Sequence, residues 1–86
     1  MKVRICFTES GTGEYETIDA EIAEMTGEAI VDAIHKYETT CCDDCDRIEL
    51  SLVSFVIQGN NAAFIATAHD RVWFGDMLWS GIVYGM

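Results

Sequence analysis

Basic residues are scarce in this sequence, and proline is absent. Lysine and arginine together number 5 against 15 aspartates and glutamates, and the net charge is −10. Because like charges repel, this balance disfavours direct binding to nucleic acid or to an anionic membrane, and it favours a protein partner with a basic surface. With no linker and no internal repeat, the 86 residues predict one domain, residues 1–86.

Long apolar runs are also missing. No stretch approaches the ~20 apolar residues that span a bilayer. The first residues, Met1 to Glu9, lack the apolar core of a signal peptide. We therefore expect a cytoplasmic protein, with no membrane partner, whose 4 cysteines stay reduced. Half of the residues are hydrophobic, which suffices for a modest core and argues against disorder.

Catalytic motifs are absent as well. No serine lies in a Gly-x-Ser-x-Gly pattern, and sequence spacing pairs neither His35 nor His69 with a carboxylate. Gly11-Thr12-Gly13 lacks the glycine and lysine pattern of a phosphate loop, and the aspartates from Asp43 to Asp46 lack the spacing of a calcium loop. We therefore predict a non-enzymatic protein with no catalytic residues.

Hydrophobic periodicity predicts an α+β fold, with one helix packed on a small antiparallel sheet of four to five strands. A first strand covers residues 2–8, and a second runs from Glu14 to about residue 22. The second segment also fits a helix, since alanine, glutamate and methionine favour helices. Glu14 and Glu16 alternate in step with the predicted core residues Ile18, Ala20 and Ile22. Because acids are disfavoured in a core, we expect these two beyond the core's edge or past a bulge. The predicted core residues of these strands are Val3, Ile5, Phe7, Ile18, Ala20 and Ile22.

Thr26 is the predicted N-cap of the helix, with Glu28 in the first turn. The helix should end near Glu38 and be followed by a polar loop over residues 39–46. Its apolar stripe consists of Ala29, Ile30, Ala33, Ile34 and Tyr37.

The second half of the chain predicts two further strands and an aromatic tail. Residues 47–57 have apolar side chains in both alternating sets of positions, which predicts a central strand covered on both faces. A turn at residues 58–61 and a return strand over residues 62–68 follow. The tail predicts a helical turn at residues 73–78 and a short strand at 81–84. This tail contains Trp73 and Trp79, and it either completes the core or is partly exposed as a homodimer or partner contact.

A cysteine cluster suggests an alternative function. Cys42 and Cys45 have the spacing of a pair of zinc ligands, and Cys41 adjoins them. Neighbouring aspartates would help to hold a cation, but they disfavour the thiolate form of cysteine. We predict no cofactor, and two alternatives remain: a small zinc-stabilised interaction domain, or reduced cysteines that pack the end of the helix. The other candidate zinc ligands are Cys6, His35 and His69.

Acidic residues are concentrated between Glu9 and Asp46, where twelve acids accompany one base, Lys36. Alternate residues of a strand repeat about every 6.7 Å on one face. Acids on a strand and a helix therefore make a dense row of negative charge, as a nucleic-acid backbone does, and such a row can occupy a basic channel built for DNA or RNA. The predicted partner-binding residues are Glu14, Glu16, Asp19, Glu21, Glu24, Glu28, Asp32, Asp43, Asp44 and Asp46.

Two other interpretations of this charge require no partner. A charged face often serves only to keep a protein soluble. Halophilic adaptation also adds acid, but it should spread acid over the whole surface. Here the chain beyond Asp46 is close to neutral, and this confinement favours a partner.

In size, charge and its acidic row from Glu14 to Asp46, the chain resembles the small anti-defence inhibitors of phages and mobile elements, the anti-CRISPR and antirestriction proteins. Several members of that class are thought to act as nucleic-acid mimics. The resemblance implies an inhibitor that occupies the basic nucleic-acid-binding surface of a nuclease or of a CRISPR or restriction complex. It covers no motif and assigns no residue a role, and the class requires neither the cysteine cluster nor the Trp-rich tail.

Overall fold

The computed structural model describes residues 1–9, 13, 15–41, 48–70 and 75–86. Within these ranges the strands form one antiparallel sheet in the order β2-β1-β5-β4-β3, and the helix packs on one face of it. This arrangement confirms the predicted α+β class. The elements are β1 (Lys2–Glu9), β2 (Tyr15–Glu21), α1 (Gly27–Cys41), β3 (Ile48–Gln58), β4 (Asn61–Asp70) and β5 (Asp76–Gly85).

The core lies between α1 and the sheet, and β1 and β2 supply it in the predicted alternation. Strand β2 pairs antiparallel with β1, so the strand interpretation of this segment is confirmed. The rings of Phe7 and Trp79 stack with centroids 5.5 Å apart, which adds aromatic contact to the burial of both side chains. The fully or nearly buried residues of β1, β2 and the turn after β2 are Val3, Ile5, Phe7, Ile18 and Ile22.

The start of α1 follows the predicted capping pattern. The hydroxyl of Thr26 accepts a hydrogen bond from the backbone N–H of Ala29 at 3.2 Å, which satisfies one of the free donors of the first turn. Ile30 and Ile34 are buried on the core side. The helix extends to Cys41 and not only to Glu38, so the predicted loop at residues 39–41 is wrong. No glycine or proline interrupts the chain between these two residues, and the helix therefore continues.

Strand β5 lies in the middle of the sheet, between β1 and β4. The predicted helical turn is wrong for residues 76–78, which begin β5, whereas residues 71–74 lie outside the described ranges. Gly81 was predicted as the first residue of a short strand, but it is a mid-strand residue of β5 opposite Phe7 and Phe64. A Cβ at Gly81 would collide with the carbonyl oxygen of Cys6 and lie 2.8 Å from Cα of Phe7, so the close approach of β1 and β5 requires glycine there.

Strand β3 is an edge strand, so the prediction of a central strand was wrong. Leu52 pairs with Ala66 and Ser54 with Ile65, which leaves Val53 as the extra residue of a β-bulge. The bulge reverses the alternation of the strand. Even-numbered residues before it and odd-numbered residues after it therefore lie on the same face of the sheet. Apolar residues at both parities therefore reflect one bulge in an edge strand, with Val53 itself 61% exposed.

Candidate partner-binding site

Six of the ten predicted partner-binding acids lie in the described part of the chain, on β2, on α1 and on the turn between them. Glu14 lies outside it, as do Asp43, Asp44 and Asp46. Five of the six side chains are exposed, and the sixth, Glu16, is half-buried. The acidic side, as we use the term below, consists of Asp19, Glu21, Glu24, Glu28 and Asp32.

The acids of β2 do not form one continuous row, because the strand directs them to two faces of the sheet. Glu16 pairs with Phe7 and shares the helix-covered face with Ile18, as its parity predicted. One carboxylate oxygen of Glu16, Oε2, is buried without a hydrogen-bond partner among the described residues. Asp19 and Glu21 have the opposite parity and belong to the other, uncovered face, which we call the open face. Glu16 is therefore separated from the acidic side.

Both acids of β2 on the open face have a cationic neighbour. The guanidinium of Arg4 donates two hydrogen bonds to Asp19, with Nε 2.8 Å from Oδ1 and Nη2 3.2 Å from Oδ2. This paired contact lowers the pKa of Asp19 and raises the pKa of Arg4. The amino terminus of Met1 lies 3.6 Å from Oε1 of Glu21. The negative potential at these two positions is therefore partly neutralised within the protein.

Of the described acids on α1 and on the turn before it, only Asp32 has a cationic residue near it along the helix, because Lys36 lies one turn further on and lines the same groove. Glu24, Glu28 and Asp32 are exposed, and the structure gives none of the three an ion pair with another residue in the described ranges. Glu28 lies in the first turn of α1, where the helix dipole favours a negative side chain. These three carboxylates are the part of the acidic side that has no ion pair with another described residue.

A groove of about 560 Å³ runs between β2 and α1, next to the acidic side. Its sides are formed by β2 residues on one hand and by helix residues on the other, and small side chains at Ala29 and Ala33 leave space between them. Its apolar lining consists of Ile18, Ala20, Ile22, Ala29, Ala33 and Tyr37. Its charged lining consists of Asp19, Glu21, Asp32 and Lys36. The sequence predicted the acids, but it did not predict that an apolar groove would lie between them.

The open face of β3, β4 and β5 carries an apolar patch among polar residues. Ile82 and Ala63 are paired across β5 and β4, and Ala63 is paired with Val56 on β3, so these side chains form one row. Val56 is 60% exposed and Ile82 44% exposed. The described part of the aromatic tail is thus partly core and partly surface: Trp79 is buried at 2% exposure, whereas Leu78, Ile82 and Tyr84 are exposed.

The cysteine cluster falls mostly outside the described residues. Cys42 and Cys45 are not among them, and Cys41 is the last residue of α1. Cys6 is a free thiol on β1, and its hydrogen bond with Tyr15 raises the pKa of that phenol. Within the described ranges, no three His, Cys, Asp or Glu side chains are grouped so that they could hold a metal ion.

The sequence did not predict the contact between His69 and Asp76. Nδ1 of His69 lies 2.6 Å from Oδ1 of Asp76, and Glu49 is paired with His69 from the other side. The three residues come from β4, β5 and β3, so only the strand register brings them together. The pair is exposed, and the hydroxyl of Thr67, two residues before His69, donates to the carbonyl oxygen of Ser51 at 3.5 Å.

Comparison with known proteins adds no relative. No protein-family model matches this sequence, and no curated protein or solved structure is significantly similar to it. None of the helices in the described ranges has the length and apolarity needed to cross a bilayer.

Proposed function

We propose that this is a non-enzymatic binding protein whose acidic side engages the basic nucleic-acid-binding surface of a protein partner. The observation that carries the proposal is the set of exposed carboxylates of Glu24, Glu28 and Asp32 beside the two acids of β2, since these three form no ion pair within the part of the chain that the structure describes. In the finer form of the proposal, the partner is a nuclease or a CRISPR or restriction complex, and the protein inhibits it by nucleic-acid mimicry in the cytoplasm.

Electrostatics favours such a partner over an uncharged one. A net charge of −10 gives a long-range field that accelerates encounter with a basic surface, and salt screens this field within about 10 Å at 0.1 M. Lysine and arginine side chains that bind DNA are arranged to meet a dense row of anions. Carboxylates on the acidic side present anions to such a surface without a phosphodiester bond that could be cleaved.

The experiment is competition with duplex DNA for purified restriction enzymes and guide-loaded CRISPR nucleases. The wild-type protein should displace fluorescent DNA from at least one of these enzymes, with an association rate that falls as salt rises. Glu24→Lys combined with Glu28→Lys should abolish displacement. Glu49→Lys combined with Asp76→Lys changes the net charge equally on β3 and β5, away from the acidic side, and should retain it. Equal behaviour of the two double variants, or no displacement from any enzyme, contradicts the proposal.

We also propose that the apolar open face of β3, β4 and β5 pairs two copies of the chain. The face has exposed apolar side chains at Val56, Ile65 and Ile82, and self-association would remove them from water. Pairing through this face would keep the acidic sides of the two copies at the far edges, where their mutual repulsion is small. The partner and the second copy therefore use different surfaces.

A further inference from the structure

We infer that the groove between β2 and α1 takes an extended segment of the partner, which adds to the free edge of β2 as a new strand and alternates basic with apolar side chains. This inference rests on the proposed function, because it states how the acidic side binds its basic partner. It predicts a linear sequence pattern in the partner, which charge attraction alone does not.

The first step concerns the backbone of β2. This strand is at the edge of the sheet and pairs with β1 alone among the described strands. The N–H of Ile22 donates to the carbonyl of Met1 at 2.8 Å, and the amine of Met1 donates to the carbonyl of Ile22 at 2.6 Å. Met1 and Ile22 are therefore a hydrogen-bonded pair, and such pairs alternate along an antiparallel ladder.

The alternation decides which backbone groups of β2 are free. Going back from Ile22, the hydrogen-bonded positions are Ala20, Ile18 and Glu16, whose N–H and C=O groups point toward β1. The groups of the intervening residues point away from β1, toward the outer edge. These residues are Tyr15, Thr17, Asp19 and Glu21. An added strand finds a row of donors and acceptors there, as in other cases of strand addition.

The second step concerns the side chains of the added strand. Alternate side chains of a strand point to opposite faces. One set would enter the groove between β2 and α1, where Ala29 and Ala33 leave room and the lining is apolar. The other set would lie on the open face beside Asp19 and Glu21, whose charge Arg4 and the amino terminus neutralise only in part, so that lysine or arginine is favoured there over an acidic residue. The site therefore selects a basic–apolar alternation.

The other edge of the sheet is less suited to strand addition. Strand β3 contains the bulge at Val53, which interrupts its ladder and increases the local twist. Strand β2 is paired residue for residue with β1 from Tyr15 to Glu21, and no register shift occurs in it. Seven regular residues offer an edge of roughly 23 Å, which is long enough for a short peptide strand.

Two substitutions test the inference without altering the charge. Thr17→Pro removes an outward N–H and places a ring at the edge, but it removes no backbone bond to β1, because Thr17 is not in a hydrogen-bonded pair. The bond from the Thr17 hydroxyl to the Cys6 thiol is lost in this variant and in its control, Thr17→Val, alike. Ala33→Phe fills the groove. The matched controls are Thr17→Val at the same strand position and His35→Phe on the same helix, at a residue that does not line the groove. Circular dichroism verifies that each variant is folded.

The probe is a fluorescent peptide of roughly eight residues that alternates lysine and valine, with a peptide of the same composition but with its lysines grouped together as a control. Fluorescence anisotropy should show tighter binding of the alternating peptide. Because each blocking variant removes strand pairing or groove contact, both should weaken this binding at least ~10-fold, and the matched controls should not.

Different outcomes overturn the inference and the proposed function. If Thr17→Pro and Ala33→Phe bind both peptides as the wild type does, while Glu24→Lys with Glu28→Lys does not, the acidic side binds basic chains without strand addition. The inference is then wrong and the proposed function stands. If the wild type binds neither peptide, or binds an alternating glutamate and valine peptide equally well, both fail.

Discussion

At the scale of single residues, the contact between Arg4 and Asp19 reduces the negative charge of the acidic side at its β2 end. Both side chains are exposed, so the pair stabilises the fold only modestly. Its more direct effect is on charge, because the guanidinium neutralises one of the acids that would otherwise face a partner. The acidity available for binding therefore lies mainly on the turn before α1 and on α1.

The contribution of the Arg4–Asp19 pair to the free energy of unfolding should depend on pH. The folded state lowers the pKa of Asp19, so the pair contributes stability above the unfolded pKa of about 3.9, and this contribution is lost as the pH falls through the lower folded pKa. Asp19→Asn should therefore lower the free energy of unfolding at neutral pH, and the difference from wild type should shrink as the pH drops below about 4. Urea unfolding at several pH values measures it. A difference that is constant with pH would contradict the assignment.

Gly81 is a residue at which even the addition of one methyl group should lower the free energy of unfolding. A Cβ there meets backbone atoms of Cys6 and Phe7, which cannot move aside as a flexible side chain can. We expect Gly81→Ala to lower the free energy of unfolding by about 1–3 kcal/mol. Gly75→Ala is the control, because a Cβ at Gly75 has no atom of the described residues within 4 Å, and it should change stability by less than ~0.5 kcal/mol. Equal effects of the two substitutions in chemical denaturation would disprove the close contact.

At the scale of elements, the bulge in β3 explains an otherwise contradictory pattern. Leu52 and Phe55 pair with the core residues Ala66 and Phe64, although they are an odd number of positions, three, apart along the chain. The extra residue, Val53, makes this possible. The edge strand can therefore place Leu50, Leu52 and Phe55 on one side of the sheet.

Deletion of Val53 tests the bulge. Removing the extra residue leaves Leu52 and Phe55 with their parity and their β4 partners, so the fold should be retained with a small loss of stability. Deletion of Val56 instead moves Ile57 to the wrong face and breaks the register at the Gly59 turn, so it should destabilise the protein much more. Thermal unfolding of both deletions gives the comparison. A Val53 deletion that is as damaging as the Val56 deletion would refute the bulge.

The sequence predicted those elements whose signal is local. Alternation over Val3, Ile5 and Phe7 identified β1, and the hydroxyl of Thr26 identified the start of α1. It could not predict the place of β5, because Gly81 resembles a break unless its neighbours on β1 and β4 are known. The same limit applies to the site: the acids were predicted, but their division between two faces depends on the strand register.

At the scale of the whole molecule, the acidic side and the exposed apolar residues of the open face lie on different elements. The acidic side occupies the β2 edge and α1, whereas the exposed apolar residues of the open face lie on β3, β4 and β5. A solvated face that serves only solubility would not require this separation. It suits a protein that binds a basic partner on one side and a second copy of itself on the other.

Self-association should depend on the open face alone. Ile82→Lys places a charge in the middle of the apolar row between Cys6 and Ala63, so it should convert dimers into monomers. Ala23→Lys, at an exposed position in the turn before α1, is the charge-matched control and should leave the mass unchanged. Sedimentation equilibrium measures the mass of each. A wild-type monomer at all concentrations, or an Ile82→Lys dimer, would exclude this interface.

The most direct test of the central claim is an NMR titration of the ¹⁵N-labelled protein with a short lysine-rich peptide. The account predicts that amide shifts concentrate on Thr17 to Asp32, along β2, the following turn and the first turns of α1. It also predicts that high salt reverses them. Shifts that are spread evenly over the chain, or that are centred on Val56, Ile65 and Ile82 of the open face, would contradict it.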